Sequence, residues 1–340
     1  MAARILDSMP ASAKLPNFFI VGAPRAGTTS LYSYLDQHDQ VYLSPIKEPN
    51  YFAFELRPEN FSEEARPRIV REMRAIEEYL SGDMRERRFG GLVSSWESYL
   101  KLFKNVADEI AIGEATPCYL WSPSAARNIA ERIPHAKIVI NLRNPIDRAF
   151  SQYLQMVAEG LIRRSFRELI RANLRFEKKQ FGPEWPLLEF GRYHEQIKRY
   201  ADEFPRSQIH ISFYEDLQHA PGALVSDLFR FLGVDPGFAA DTSQRHHEPR
   251  IAKLAGTAYF LKKWRVWPYL RNLAPRPLGP RLRSLILRSR ASLTMEPADR
   301  AFLADYYRAD IEKLSVLVRR DLTGWLAPER GRGAERTPNS

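Results

Sequence analysis

Apolar residues follow two periods along this chain, and the two alternate. The run Phe18 to Val21 breaks at Gly22, passes a short loop closed by Gly27, and gives way to Leu31, Tyr34 and Leu35 on one helical face. Ile69, Met73, Ile76 and Leu80 keep helical spacing and predict a helix over 67–80, with another over 94–103. A strand over 109–113 leads through Thr116-Pro117 to a helix over 124–132. The run Lys137 to Leu142 predicts the next strand. The helix after it has clear start signals: Asn144 to cap, Pro145 in the first turn and Asp147 at the positive end of the dipole. A helix over 191–203, a strand over 208–213 and a helix over 223–232 stopped by Gly233 complete the readable pattern. Strands separated by helices predict an α/β fold whose parallel sheet is covered on both faces.

Composition narrows this only a little. With 340 residues, 44% of them hydrophobic, the chain can build a sizeable core, and one α/β domain with additions is expected. Cys118 is the sole cysteine, which excludes an internal disulfide. The net charge of +10 suits anionic ligands, but a solvated basic surface gives the same sum, and no nucleic-acid partner is expected from it. No apolar run reaches about 18 residues and no signal-like segment follows Met1, so the expected compartment is the cytoplasm. Residues 1–14 and 327–340 read as flexible, and no metal site is expected. His246 and His247 are neighbours on an extended segment and point apart.

The first strand-to-helix turn carries chemistry. Backbone N–H groups of Arg25, Ala26, Gly27 and the first helical turn converge on an anion, with the hydroxyls of Thr28, Thr29 and Ser30 beside them. A nucleoside-triphosphate loop would place Lys where Thr28 stands; here the cation is Arg25, inside the loop. The fold class expected is thus a single P-loop-type domain over 15–326, a central parallel sheet flanked by helices, plus a C-terminal helical extension. A second constellation, N-L-R-N-P-I-D-R-A-F-S-Q-Y, puts Arg143 at a strand end and Ser151 two turns into the next helix. Arg143 by its planar fork and Ser151 by its hydroxyl can grip one phosphate from two directions. Taken alone, either residue is equally at home in a salt bridge or an ordinary helix position.

Together the two segments resemble the sulfotransferases that use 3′-phosphoadenosine 5′-phosphosulfate (PAPS). The first loop resembles that family's 5′-phosphosulfate loop, and Arg143 to Ser151 its 3′-phosphate motif. The segment Y-L-S-P-I-K-E-P-N-Y-F-A, with W-E-S-Y-L-K-L-F, G-E-A-T-P-C-Y, G-R-Y-H-E-Q-I-K-R-Y-A-D-E-F and F-Y-E-D-L, is similar to the heparan-sulfate-type, glycan-modifying branch and its bacterial relatives. The resemblance spans Asn17 to Val234. It implies a PAPS donor, a glycan or glycolipid acceptor and Glu48 as the base that relieves the acceptor of its proton. Lys47 then serves as a substrate contact, and Arg25 stands where the family usually holds Lys to support the departing phosphate. Without the resemblance, Glu48 reads as a surface residue of a Lys-Glu-Pro turn, His38 as part of a structural turn, and Glu114 as hydrogen-bonded scaffold at a strand end.

Beyond Val234 guidance fades. Arg245 and Arg250 match the family's basic nucleotide-covering loop only by loose analogy. Residues 262–290 hold nine Lys or Arg and no acid among Trp264, Trp267 and Tyr269, which suits peripheral contact with an anionic membrane as well as packing with the charges outward. The function expected is sulfuryl transfer to a hydroxyl or amine. A nucleotide kinase, or a nucleotide-responsive membrane-docking protein without turnover, stand as alternatives. Oligomeric state is not legible.

Overall fold

The computed structural model describes residues 14–63, 65–175, 186–243, 251–252, 287–288 and 294–328. In chain order the elements that matter are β1 (Phe18–Gly22), α1 (Thr28–Leu35), β2 (Val41–Leu43), β3 (Ile46–Lys47), α2 (Arg66–Ser81), β4 (Arg88–Phe89), α3 (Trp96–Lys101) and β5 (Ala111–Ala115). They continue with α4 (Ala125–Arg132), β6 (Lys137–Leu142), α5 (Pro145–Ala158), α6 (Phe166–Arg175), α7 (Tyr193–Glu203), β7 (Ile209–Phe213), α8 (Tyr214–His219), α9 (Pro221–Leu232) and α10 (Pro297–Val318). Five strands form one parallel sheet in the order β2-β5-β1-β6-β7, with Phe19 of β1 aligned to Glu114 of β5 and Ile138 of β6. A short parallel pair, β3 with β4, lies apart from it.

The period-two alternation of β1 divides the core. Phe18 and Ile20 point to one face, against Leu31 and Leu35 of α1 and Leu228 of α9; Phe19 and Val21 point to the other, against Phe52, Tyr99, Ile129 and Ile146. All of these side chains are buried, each contributing about 1.5–3 kcal/mol of hydrophobic stabilisation. The described end of the C-terminal extension is helical: Leu303, Tyr307, Ile311 and Leu314 of α10 are buried on the second face, and Tyr307 Oη donates to Leu188 O at 2.8 Å.

Element boundaries moved for identifiable reasons. The strand expected over 109–113 is Ala111–Ala115, because Ile110 is exposed and the strand runs on through the buried Glu114. The helix expected over 94–103 narrows to α3, capped by Ser95, whose Oγ accepts from Ser98 N at 3.1 Å. The last helix before residue 233 begins earlier, at Pro221, where a missing N–H costs nothing. Asn144 caps α5 as its sequence predicts, Oδ1 accepting from Ile146 N at 2.9 Å.

Candidate active site

The loop from Ala23 to Gly27 leaves the C-terminal end of β1, at the mouth where open α/β sheets bind ligands. Gly27 has φ +85°, a conformation that residues with a Cβ rarely adopt, and a Cβ there would lie 2.5 Å from Leu217 Cδ2. Arg25 is also left-handed, at φ 69°. The neighbouring strands hold this turn: Ala23 N donates to Asn141 O at 2.7 Å, Asn141 Nδ2 donates to Ala26 O, and Ser212 Oγ fixes the Asn141 amide at 2.8 Å. Thr28, Thr29 and Ser30 then open α1, where the N–H groups of a first turn lack intrahelical partners.

The second segment meets the first there. Arg143 follows the last residue of β6; its guanidinium lies 4.4 Å over the Tyr214 ring, and its Nη1 donates to Arg25 O at 3.0 Å. Tyr193 Oη donates to Arg143 O at 2.9 Å, fixing the backbone from α7. Ser151 on α5 is buried, and Arg25 reaches it with Nε and Nη2, both 3.3 Å from Ser151 Oγ. Residues 118 to 126 positions apart in sequence thus share one corner of the sheet.

The Lys47-Glu48 pair straddles the end of β3. Lys47 is almost wholly buried, and its Nζ donates to Glu48 Oε1 at 2.6 Å, while the Glu48 side chain is 42% exposed. Glu48 N donates to Ala115 O at 2.9 Å, so the end of β5 carries the loop. Glu48 and Asn50 both have positive φ, 68° and 58°. Asn50 steadies the turn by donating to Glu48 O and Gly91 O, each at 2.7 Å.

Comparison with known proteins decides the family. A family described as the sulfotransferase family matches residues 16–238. The chain belongs to the sulfotransferase family. It is 28% identical over 252 residues to the bifunctional heparan sulfate N-deacetylase/N-sulfotransferase 1 of Caenorhabditis briggsae, covering 70% of this chain and 25% of that protein. It is 25% identical over 257 residues to mouse carbohydrate sulfotransferase 15, covering 65% of this chain and 44% of that protein. The chain therefore spans well under two thirds of these relatives. The crystal structure of a sulfotransferase from Alicyclobacillus acidocaldarius matches at 29% identity and a TM-score of 0.67, covering 92% of this chain and all of that one.

Within this sulfotransferase frame, Glu114 is the residue whose surroundings the sequence showed least. It is wholly buried; Oε1 accepts from Tyr99 Oη at 2.9 Å and Tyr119 Oη at 3.0 Å, and Oε2 from Thr116 Oγ1 at 2.5 Å. Burial pushes its pKa up to about 7, the charge of Glu48 adds to the rise, and the three hydroxyls oppose it. Burial and the nearby carboxylates likewise push the Cys118 thiol up, so Cys118 is no nucleophile; its Sγ donates to Asn50 Oδ1 at 3.0 Å.

His38 is structural: Nδ1 accepts from Gln40 N at 3.0 Å, leaving Nε2 to donate to Asp235 O at 3.1 Å, and the ring packs against Phe229 and Phe238. Tyr193 and Tyr214, which hold Arg143, were not singled out from the sequence, although both lie inside segments that resembled the family. Arg245, His246, His247 and Arg250 lie outside the described residues, as does the 262–290 segment apart from the backbone of Leu287–Arg288, which pairs with Ile251–Ala252. Among the described residues no acid, histidine or cysteine cluster suits a metal ion, and no helix is long and apolar enough to cross a membrane.

Proposed function

We propose that this chain transfers the sulfuryl group of PAPS to a hydroxyl or amine of a carbohydrate-containing acceptor. The observation that carries this reading is the meeting of Arg25, Arg143 and Ser151 at one corner of the sheet, beside the start of α1. A nucleotide phosphorylated at both ends of its ribose needs two anion sites at a fixed separation, and two loops on adjacent strand ends supply them.

In this reading Arg25, Ala26, Gly27, Thr28, Thr29 and Ser30 hold the 5′-phosphosulfate, and Arg143 and Ser151 hold the 3′-phosphate. The fit is supported by the left-handed backbone of Arg25 and Gly27, which shapes the turn before α1, and by the Tyr214 face that orients Arg143. PAPS supplies the activated sulfuryl group when bound. Arg25 stabilises the charge that grows on the departing phosphate as a permanent cation, so it donates hydrogen bonds and no proton. Glu48 takes the acceptor's proton. Lys47 engages one of its oxygens, which orients the carboxylate and leaves the other to act as base; with its side chain almost wholly buried, Lys47 acts on the acceptor through Glu48 and not by the direct contact that the resemblance implies.

The names of the relatives, heparan sulfate and carbohydrate sulfotransferases, support a glycan or glycolipid acceptor. A relative from Dictyostelium discoideum, 21% identical, is named a membrane-associated sulfotransferase, which supports contact with a membrane; the basic run 262–290 is proposed as the contacting segment on its sequence alone. The catalytic unit is proposed to span 15–326, and no metal is assigned a part.

The test is mass spectrometry of glycan and lipid extracts incubated with the protein and PAPS. New species heavier by one SO₃ group, absent without the protein, support transfer. Tight nucleotide binding with no such product, and no donor consumed, would leave a nucleotide-responsive binding protein instead.

A further inference from the structure

A buried carboxylate inside a hydrophobic core is costly where a leucine or methionine would fill the same space, so its presence at Glu114 calls for a reason beyond packing. Its hydrogen bonds lead to one place. Tyr119 Oη donates to Glu114 and accepts from Phe52 N at 3.2 Å; Tyr99 Oη donates to Glu114 while its ring stacks on Tyr51 at 4.8 Å and meets Phe52 edge-on at 5.2 Å. The next residue along β5, Ala115, accepts Glu48 N. Cys118, one residue before Tyr119, binds Asn50. Apart from the Thr116 bond, which stays within the turn, and Tyr99, which reaches Tyr51 and Phe52 from α3, these ties run from β5 and the turn after it to residues 48–52, where Glu48 and Asn50 hold left-handed backbone that persists only where its surroundings over-determine it.

We propose that Glu114 is the positioning residue for Glu48: its carboxylate, acting through the Tyr119 and Tyr99 hydroxyls, holds the 48–52 loop in the conformation from which Glu48 projects. The inference rests on the reading of Glu48 as the base. Three O–H donors face a group that, when ionised, only accepts, and the 2.5 Å contact to Thr116 lies in the range of a charge-assisted bond. Protonating Glu114 introduces a fourth donor, so one hydroxyl must turn away. A proton on Oε2, whose partner is Thr116, turns Thr116; a proton on Oε1 turns Tyr99 or Tyr119, and with Tyr119 turned Phe52 N loses the lone pair it uses, so only the ionised carboxylate keeps that lone pair in place in every case. The loop is therefore tightest with Glu114 ionised.

The ionisable groups that face Glu114 are Glu48 from the loop after β3, Tyr99 from α3, Cys118 and Tyr119 from the turn after β5, and Tyr200 from α7; one step further out, Lys47 pairs with Glu48, Tyr51 stacks on Tyr99, Glu55 faces Cys118 and Tyr200, and Arg132 of α4 stands over Tyr51 and Trp96. With burial raising the carboxyl to about 7, ionisation and loop order change together near neutrality.

The experiment measures conversion of PAPS to 3′-phosphoadenosine 5′-phosphate (PAP), with water as acceptor, by wild type, Glu48→Gln, Glu114→Gln and Tyr119→Phe. Glu114→Gln and Tyr119→Phe are expected to lower kcat about tenfold while PAP affinity by calorimetry stays within about twofold. Wild-type kcat is expected to rise with pH through an inflection near 7 that Glu114→Gln lacks. A Glu114→Gln variant whose Tm falls while its kcat and pH profile match wild type overturns the inference and leaves Glu114 as core. Wild type that makes no PAP and binds none in calorimetry contradicts the donor assignment instead, whereas wild type that binds PAP but turns over no PAPS with water leaves kcat without a reading. The positioning role is then read from the Glu48 carboxyl carbon in ¹³C NMR titrations: a titration altered by Glu114→Gln supports it, and one identical to wild type overturns it.

Discussion

The two halves of the candidate site are built in opposite ways. The proposed nucleotide side is cationic and shaped by backbone: one turn and one helix start form it, and Arg143 donates to the backbone oxygen of Arg25 from 118 residues away in sequence. The proposed acceptor side is acidic and mounted on a buried network: Glu48 is held by β5, by Tyr119 through Phe52 and by Lys47 at its flank, with Glu114 buried behind. Anions bind well to a surface of fixed dipoles and permanent cations, which tolerate no titration. A base must be positioned and also be able to accept a proton, so it is mounted on a network whose own charge state matters.

The comparison breaks first at Glu48. Glu48→Gln is expected to lower turnover by about two to four orders of magnitude with PAP affinity unchanged, since only proton removal is lost; steady-state kinetics with calorimetry checks both halves. On the other side, Arg143→Ala is expected to weaken PAP by about 2–4 kcal/mol and leave AMP nearly unaffected, read by the same calorimetry.

The pH dependence sharpens the contrast. Glu114 is raised from 4.5 in the unfolded chain to about 7 in the fold, so its contribution to stability is complete below 4.5 and is lost as pH rises toward 7. Denaturant unfolding of wild type and Glu114→Gln is expected to show wild type losing up to about 3 kcal/mol relative to the variant across that window. A difference that does not vary with pH would show that Glu114 is already ionised in the unfolded-like range. The smallest effect belongs to the loop: Gly27→Ala at φ +85° is expected to cost about 1–2 kcal/mol in thermal melts from backbone strain, with the Leu217 contact adding to it.

The same contrast explains what could be read from sequence. The strand, turn and helix start at residues 18–35 were legible because their parts are contiguous: an apolar strand, Gly27 where only a left-handed residue serves, hydroxyls at a helix start. The parallel sheet followed from strand and helix periods, and Asn144, Pro145 and Asp147 marked α5 as they should. Glu48 came only through resemblance, because a carboxylate in a Lys-Glu-Pro turn has no periodic signature. The end of β5 was placed too early because a strand does not ordinarily run through an acid; what offsets the burial of Glu114 comes from Tyr99, Thr116 and Tyr119, two of them on other elements. Nor could local pattern show that Arg25 and Ser151 touch, since 126 residues separate them.

The central claim, that two loops form one site for a nucleotide phosphorylated at both ends of its ribose, is tested most directly by titrating the wild-type protein with PAP and with AMP in one calorimeter. Engagement of the 3′-phosphate by Arg143 and Ser151 predicts that PAP binds roughly thirty- to thousandfold more tightly. Equal affinities would mean that Arg143 and Ser151 hold the fold together and meet no phosphate, and the account would fail at its base.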